Sequence, residues 1–218
     1  MLVVIGGGHF GSYHARQLRK GVAAGRVAGP ITIVDRDREC QAFRELGPAE
    51  GVHAVEADWG EFLRSWLRTA APDDHLIPAP LAPHLLWEWL ADELGAERTP
   101  PPLGWGLPYE LADPSGAVFL SAAAWECPAT CVEPAHCPAL HAPRDWDLGD
   151  LLEEGARARG LEPAVFRCVH LACGVGSVRA GDLLGARERL RARPAAALVA
   201  TTSRCHAAVG ALAPSVVG

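Results

Sequence analysis

Four short runs of aliphatic and β-branched residues recur in the first 80 positions, at residues 2–5, 31–34, 52–55 and 75–79, and helical spacing fills the intervals. A strand that must cross a helix before the next strand begins cannot form a tight hairpin. It pairs parallel instead, with helices laid over the sheet. The helical stretches are predicted at 9–19, 37–46, 59–70 and 83–94, the last begun by Pro83. The expected class is α/β, a doubly wound and mostly parallel sheet.

The first strand stops at three glycines, and Gly6, Gly8 and Gly11 have the spacing GxGxxG. The first glycine permits a tight turn. The second lets the backbone approach a pyrophosphate, and the third lets the helix pack on the strand. A helix opening at His9 would offer its first amides, those of Gly7, Gly8, His9 and Phe10, to the phosphates. The second strand ends at Asp35, 24 residues beyond Gly11, where a carboxylate can accept from a ribose diol and favours NAD over NADP. Arg36 beside it weakens that preference. Ala79, at the end of the fourth strand, completes the candidate cofactor residues. The pattern is that of a Rossmann-like half-domain over residues 1–98.

Three stretches, VVIGGGHFGSYHARQL, ITIVDRDREC and GVHAVEADWGEFL, resemble the N-terminal nucleotide-binding domain of TrkA-type potassium-uptake regulators, the RCK domain, over residues 1 to about 80. The resemblance implies a Rossmann fold in which Gly6, Gly8, Gly11 and Asp35 hold NAD(H) or another adenine nucleotide, with Asp58 near the adenosine. It fades after Ile77, and no counterpart of that family's effector-binding domain follows.

A run of three prolines at 100–102 marks a boundary. Beyond it, residues 103–218 are expected to form a second α/β half continuing the same sheet. Its strands are placed near 105–107, 117–122, 164–172 and 195–201, and its helices at 148–159 and 180–193. A cysteine-rich loop at 127–143 interrupts it. Cys127, Cys131 and Cys137 fall within eleven residues, with proline after the first and third. Thiols so close on a loop without strand or helix period read as metal ligands, because proline stiffens the loop and a Cys-Pro step also ends the ferredoxin cluster run. A [4Fe-4S] cluster is the favoured occupant. Zinc is the alternative, with His136 or His141 as a further ligand. Cys205 or Cys173, each just past a strand end, is the expected fourth ligand, Cys205 preferred for its short polar loop. Cys40 and Cys168 read as ordinary buried thiols, and His9 and His14 as flanking rather than reacting groups.

Seven cysteines, an odd number, suit reduced thiols or ligands in a cytoplasmic protein. The formal charge of −6 and the single lysine, Lys20, argue against nucleic acid as a partner. No stretch is long and apolar enough for membrane insertion. The reading is an NAD(H)-binding Rossmann protein with a cysteine-ligated metal centre, a redox enzyme or redox sensor, with a homodimer or a protein partner left open. The alternative is a non-catalytic, RCK-like nucleotide-sensing module with structural zinc.

Overall fold

A computed structural model describes residues 1–47, 49–78, 84–127, 131–172 and 174–214. In chain order the elements are β1 (Leu2–Ile5), α1 (His9–Ala23), β2 (Ile31–Asp35), α2 (Gln41–Leu46), β3 (Val52–Glu56), α3 (Trp59–Trp66), β4 (His75–Pro78) and α4 (Leu85–Leu94). Then come β5 (Glu97–Thr99), β6 (Tyr109–Ala112), β7 (Val118–Ser121), β8 (His136–Cys137), β9 (Ala142–Pro143), α5 (Leu148–Ala158) and β10 (Glu162–Arg167). The last elements are β11 (Val169–Ala172), β12 (Val175–Arg179), α6 (Ala180–Ala192), β13 (Ala197–Thr202) and β14 (His206–Ala213). The fold is mixed α/β, with parallel and antiparallel pairing.

The chain divides into two compact units. The first comprises Met1–Leu85 with Val169–Leu184, and the second Leu86–Cys168 with Gly185–Gly218. The halves expected at 1–98 and 103–218 therefore exchange a segment, since β11, β12 and the start of α6 belong with the first unit. The strand expected at 164–172 is two strands, β10 and β11, which break at Cys168 and enter different sheets.

In the first unit the sheet order is β11-β12-β4-β1-β2-β3. The four strands β4, β1, β2 and β3 pair parallel, as their apolar runs predict, and β12 joins β4 antiparallel. Every residue of β1 is buried. Leu2, Val4, Ile31, Ile33, Val52 and Ile77 from the sheet meet Ala15 and Leu18 of α1 and Ala42 and Leu46 of α2 in one cluster. Helix α1 buries Gly11, Ser12, Ala15 and Leu18, positions three and four apart, which fixes its inward face. Between β4 and β12, His75 Nδ1 and Ser177 Oγ lie 3.0 Å apart.

The second unit departs from expectation. Its sheet runs β10-β13-β14-β7-β6 with β5 on β14, and only β10 and β13 are parallel, so it is mostly antiparallel and separate from the first. Residues expected as a strand at 105–107 instead form an irregular loop: Gly104 and Gly106 have φ of 79° and 72°, and the Glu110 carboxylate accepts the N–H of Gly104 at 2.9 Å and of Trp105 at 2.7 Å. Helix α5 starts at Asp147, whose side chain accepts the N–H of Gly149, and packs Leu148, Leu152 and Ala156 on Leu198, Ala200 and Val209 of the sheet. Trp87 donates its indole N–H to Ala211 O at 2.9 Å, and Gly210 leaves room for that ring. Among the described residues no helix is long and apolar enough to cross a membrane.

Candidate functional site

The β1–α1 turn is built by steric need. Gly6 has φ 90°, which only glycine adopts at little cost, and its N–H bonds Val34 O at 2.8 Å. A Cβ on Gly11 would stand 1.7 Å from Gly6 O, so helix and turn touch backbone to backbone there. A Cβ on Gly7 would stand 2.2 Å from the Cys40 sulfur. Gly8 is different: a Cβ there meets nothing within 4 Å, and the residue is exposed. It caps α1 in an extended conformation without a side-chain hydrogen bond, and the first turn carries no acidic residue. Of the amides expected to face phosphate, that of Gly7 is taken by Asp35, and those of Gly8, His9 and Phe10 are left to an incoming acceptor, the arrangement that suits an anion. His9 and Phe10 stand exposed beside them, edge to face at 5.4 Å.

Asp35 is 8% exposed and serves the turn directly. Its Oδ2 accepts the Gly7 N–H at 2.6 Å and its Oδ1 the Asp37 N–H at 2.9 Å. Each oxygen keeps a lone pair, so a ribose hydroxyl can still be accepted. Arg36 is exposed next to it. Asp58 caps α3, its Oδ1 accepting the N–H of Gly60 at 2.9 Å and of Glu61 at 3.1 Å, a structural duty that the resemblance to nucleotide-binding domains did not suggest. Ala79 lies outside the described residues. His14 sits further along α1, where burial pulls its pKa down.

The cysteine loop belongs to the second unit. β8 and β9 form a two-stranded ribbon, and Cys137 on it is 1% exposed. Burial alone would raise its thiol, but the N–H groups of Leu140 and Ala139 and the Arg144 guanidinium together hold its pKa below the ordinary value. Cys131 Sγ accepts the Glu133 N–H at 3.4 Å. Cys205, also 1% exposed, lies in the turn between β13 and β14 and accepts the Trp146 indole N–H at 3.4 Å. Burial pushes the Cys127 thiol up, the Trp125 indole draws it back, and charge on Cys131 or Cys137 raises it further. Cys205 feels burial first, then Trp146, Glu133, Arg144 and Cys127. These four sulfurs share one electrostatic neighbourhood.

Three groups that residue types and spacing did not single out organise that neighbourhood. Trp125 and Trp146 meet edge to face at 5.8 Å, and the Arg144 guanidinium lies 5.6 Å from the Trp146 ring centre. Arg144 Nη1 donates to Pro134 O, its Nε and Nη2 are buried without an oxygen acceptor, and its guanidinium is set against the Cys137 thiol. His136 and His141, the imidazoles considered as zinc ligands, are exposed. Cys168 carries a thiol pushed up to about 12 by burial, with Glu133 adding to it, and Cys40 belongs to the glycine turn. Cys173 lies outside the described residues. Among the described residues, no group of three or more His, Cys, Asp or Glu side chains is placed to hold a metal ion.

Residues 82–215 match a family profile described as "Uncharacterized protein, C-terminal domain". The matched stretch contains the whole cysteine loop and Cys205, and the glycine turn lies outside it. No curated protein matches the chain, and no solved structure does. Since the profile covers more than half of the sequence, the chain belongs to the family described as "Uncharacterized protein, C-terminal domain".

Proposed function

We propose that the first unit is a Rossmann-type NAD(H)-binding domain and that the protein carries, in its second unit, a cysteine-ligated metal centre, the whole acting as a redox enzyme or redox sensor. The observation that carries this is the parallel order β4-β1-β2-β3 with a glycine turn after the central β1 and the Asp35 carboxylate locked to that turn through Gly7. It is the strand order of a mononucleotide-binding half, and it supports pyrophosphate on the α1 amides and ribose on Asp35. Bound NAD(H) would supply hydride transfer and an iron-sulfur cluster single-electron exchange. The protein's part is to hold each group and shield it from water.

A second reading rests on the likeness of residues 1 to about 80 to TrkA-type RCK domains. In it the nucleotide is sensed rather than reacted, and the thiols hold structural zinc. Metal identity separates the two. An anaerobic preparation is assayed for iron, acid-labile sulfide and zinc, with its visible spectrum. Iron and sulfide with a broad band near ~400 nm support the redox reading. Stoichiometric zinc without colour supports the regulatory one, and absence of any metal overturns the metal centre in both.

A further inference from the structure

We propose that Cys127, Cys131, Cys137 and Cys205 are the complete, sulfur-only ligand set of the metal centre, and that the half-buried Arg144 guanidinium is its counter-charge. The inference rests on the metal-centre part of the reading above and commits it to a fourth ligand, a charge and a metal class.

The four thiols come from two distant stretches of chain that backbone hydrogen bonds bring together. Cys205 O accepts the Ala122 N–H at 2.9 Å, just before Cys127, and the Arg204 N–H donates to Glu133 Oε2 at 2.8 Å, just after Cys131. The turn carrying Cys205 is therefore tied to both sides of the first two cysteines. Trp146 then bridges Cys205 to Trp125 and Arg144.

N–H donors also point at the sulfurs. Glu133 serves Cys131, the amides of Ala139 and Leu140 serve Cys137, and the Trp146 indole serves Cys205. A neutral thiol is a weak acceptor that gives little in return for such alignment, whereas hydrogen bonds to sulfur are the usual outer shell of metal-bound thiolates.

Arg144 is the second, independent observation. Its Nε and Nη2 are buried with no oxygen acceptor, its side chain is hydrogen-bonded to the Cys137 thiol, and three of the thiols feel its charge. A half-buried cation whose hydrogen-bond partners are one carbonyl and a neutral thiol is poorly compensated. Four thiolates around a divalent ion, or around a cluster, leave net negative charge, which that guanidinium would balance. Binding releases the four thiol protons to solvent and forms four metal–sulfur bonds with no change of oxidation state. Soft, all-sulfur ligation selects zinc or an iron-sulfur cluster over magnesium, calcium or manganese.

The test uses the full chain purified anaerobically. X-ray absorption at the edge of whichever metal is present is expected to count four sulfur ligands from the protein, or from protein and cluster sulfide, with no nitrogen; zinc would show them at about 2.3 Å. Nitrogen in the shell overturns the sulfur-only set. In parallel, metal-free protein is titrated with Co(II), read by thiolate-to-cobalt charge-transfer absorption. Wild type and Cys168→Ser are expected to bind one ion each with the same intensity. Cys205→Ser should lose about a quarter of that intensity and bind at least tenfold more weakly. Arg144→Gln should keep the spectrum while affinity falls by about 10- to 100-fold. An unchanged Cys205→Ser spectrum removes Cys205 from the set while leaving a metal centre on the other three cysteines. Failure of wild type to bind Co(II), with no metal as purified, removes both this proposal and the metal centre beneath it.

Discussion

The carboxylate of Asp35, at the end of β2, accepts the backbone N–H of Gly7 at 2.6 Å across 28 positions of chain. One residue therefore shapes the β1–α1 turn and, in the proposed complex, would also meet the ribose. Around that bond the glycines divide by what a side chain would meet: Gly11 is confined by Gly6 O, Gly7 by Cys40, and Gly8 by nothing. The first two serve the fold, and at Gly8 the fold itself sets no demand for glycine.

Gly8→Asp should separate folding from binding. Space is open and the backbone is extended, so the new carboxylate can cap α1, and thermal stability is expected to hold or rise by a few tenths of a kcal/mol. The same charge faces the site of the pyrophosphate, and NAD(H) affinity should fall at least about tenfold. Differential scanning fluorimetry and a binding titration on one sample check both.

Gly11→Ala should do the opposite. Its Cβ cannot coexist with Gly6 O at 1.7 Å, so α1 must be pushed off β1, at a cost of about 3 kcal/mol or more. Urea unfolding compared with wild type measures it. A loss below about 0.5 kcal/mol would mean that the close approach at this turn is not as described.

Asp58→Ala removes the cap of α3, where one carboxylate oxygen accepts two backbone N–H groups. A stability loss of about 1 kcal/mol is expected. If Asp58 acts only as a cap, dinucleotide affinity stays within about twofold of wild type; a larger drop in a folded variant assigns it an adenosine contact as well. Circular dichroism melts and the same titration give the two readings.

The Glu110 carboxylate predicts a pH signature in the second unit. Burial alone would raise its pKa, but the N–H groups of Gly104, Leu107, Trp105 and Gly106 bring it below the ordinary carboxylate value. Because the folded pKa is depressed, its stabilisation is fully present above the ordinary value and is lost as pH falls through the folded one. The stability gap between wild type and Glu110→Gln should therefore be constant near neutrality and shrink as the pH falls below the ordinary carboxylate range. A gap that is flat or widens on acidification would contradict this.

Local steric demand was legible in the amino-acid sequence, and tertiary convergence was not. Strands β1 and β2 are fully buried, mostly aliphatic runs, and the glycine turn needs only its own spacing, so both can be read without knowing the rest. Strand β14 escaped because its residues, HAAVGALA, are small and buried on both faces, which removes the alternation that marks a half-buried strand. The run at 164–172 looked continuous because nothing in its composition marks Cys168 as the point where one sheet ends. Cys127, Cys131, Cys137 and Cys205 were visible as thiols. Arg144 and Trp146, in an unremarkable stretch after the loop, acquire their part only when the Cys205 turn is folded against them.

The most direct test of the central claim is an equilibrium titration of the purified full chain with NADH, followed by cofactor fluorescence, with NADPH and the Gly8→Asp variant in parallel. The account predicts saturable binding of one NADH per chain, weaker binding of NADPH because its 2′-phosphate meets the Asp35 carboxylate, and a marked loss in Gly8→Asp. No saturable NADH binding by folded wild-type protein, or binding that Gly8→Asp leaves untouched, would contradict it.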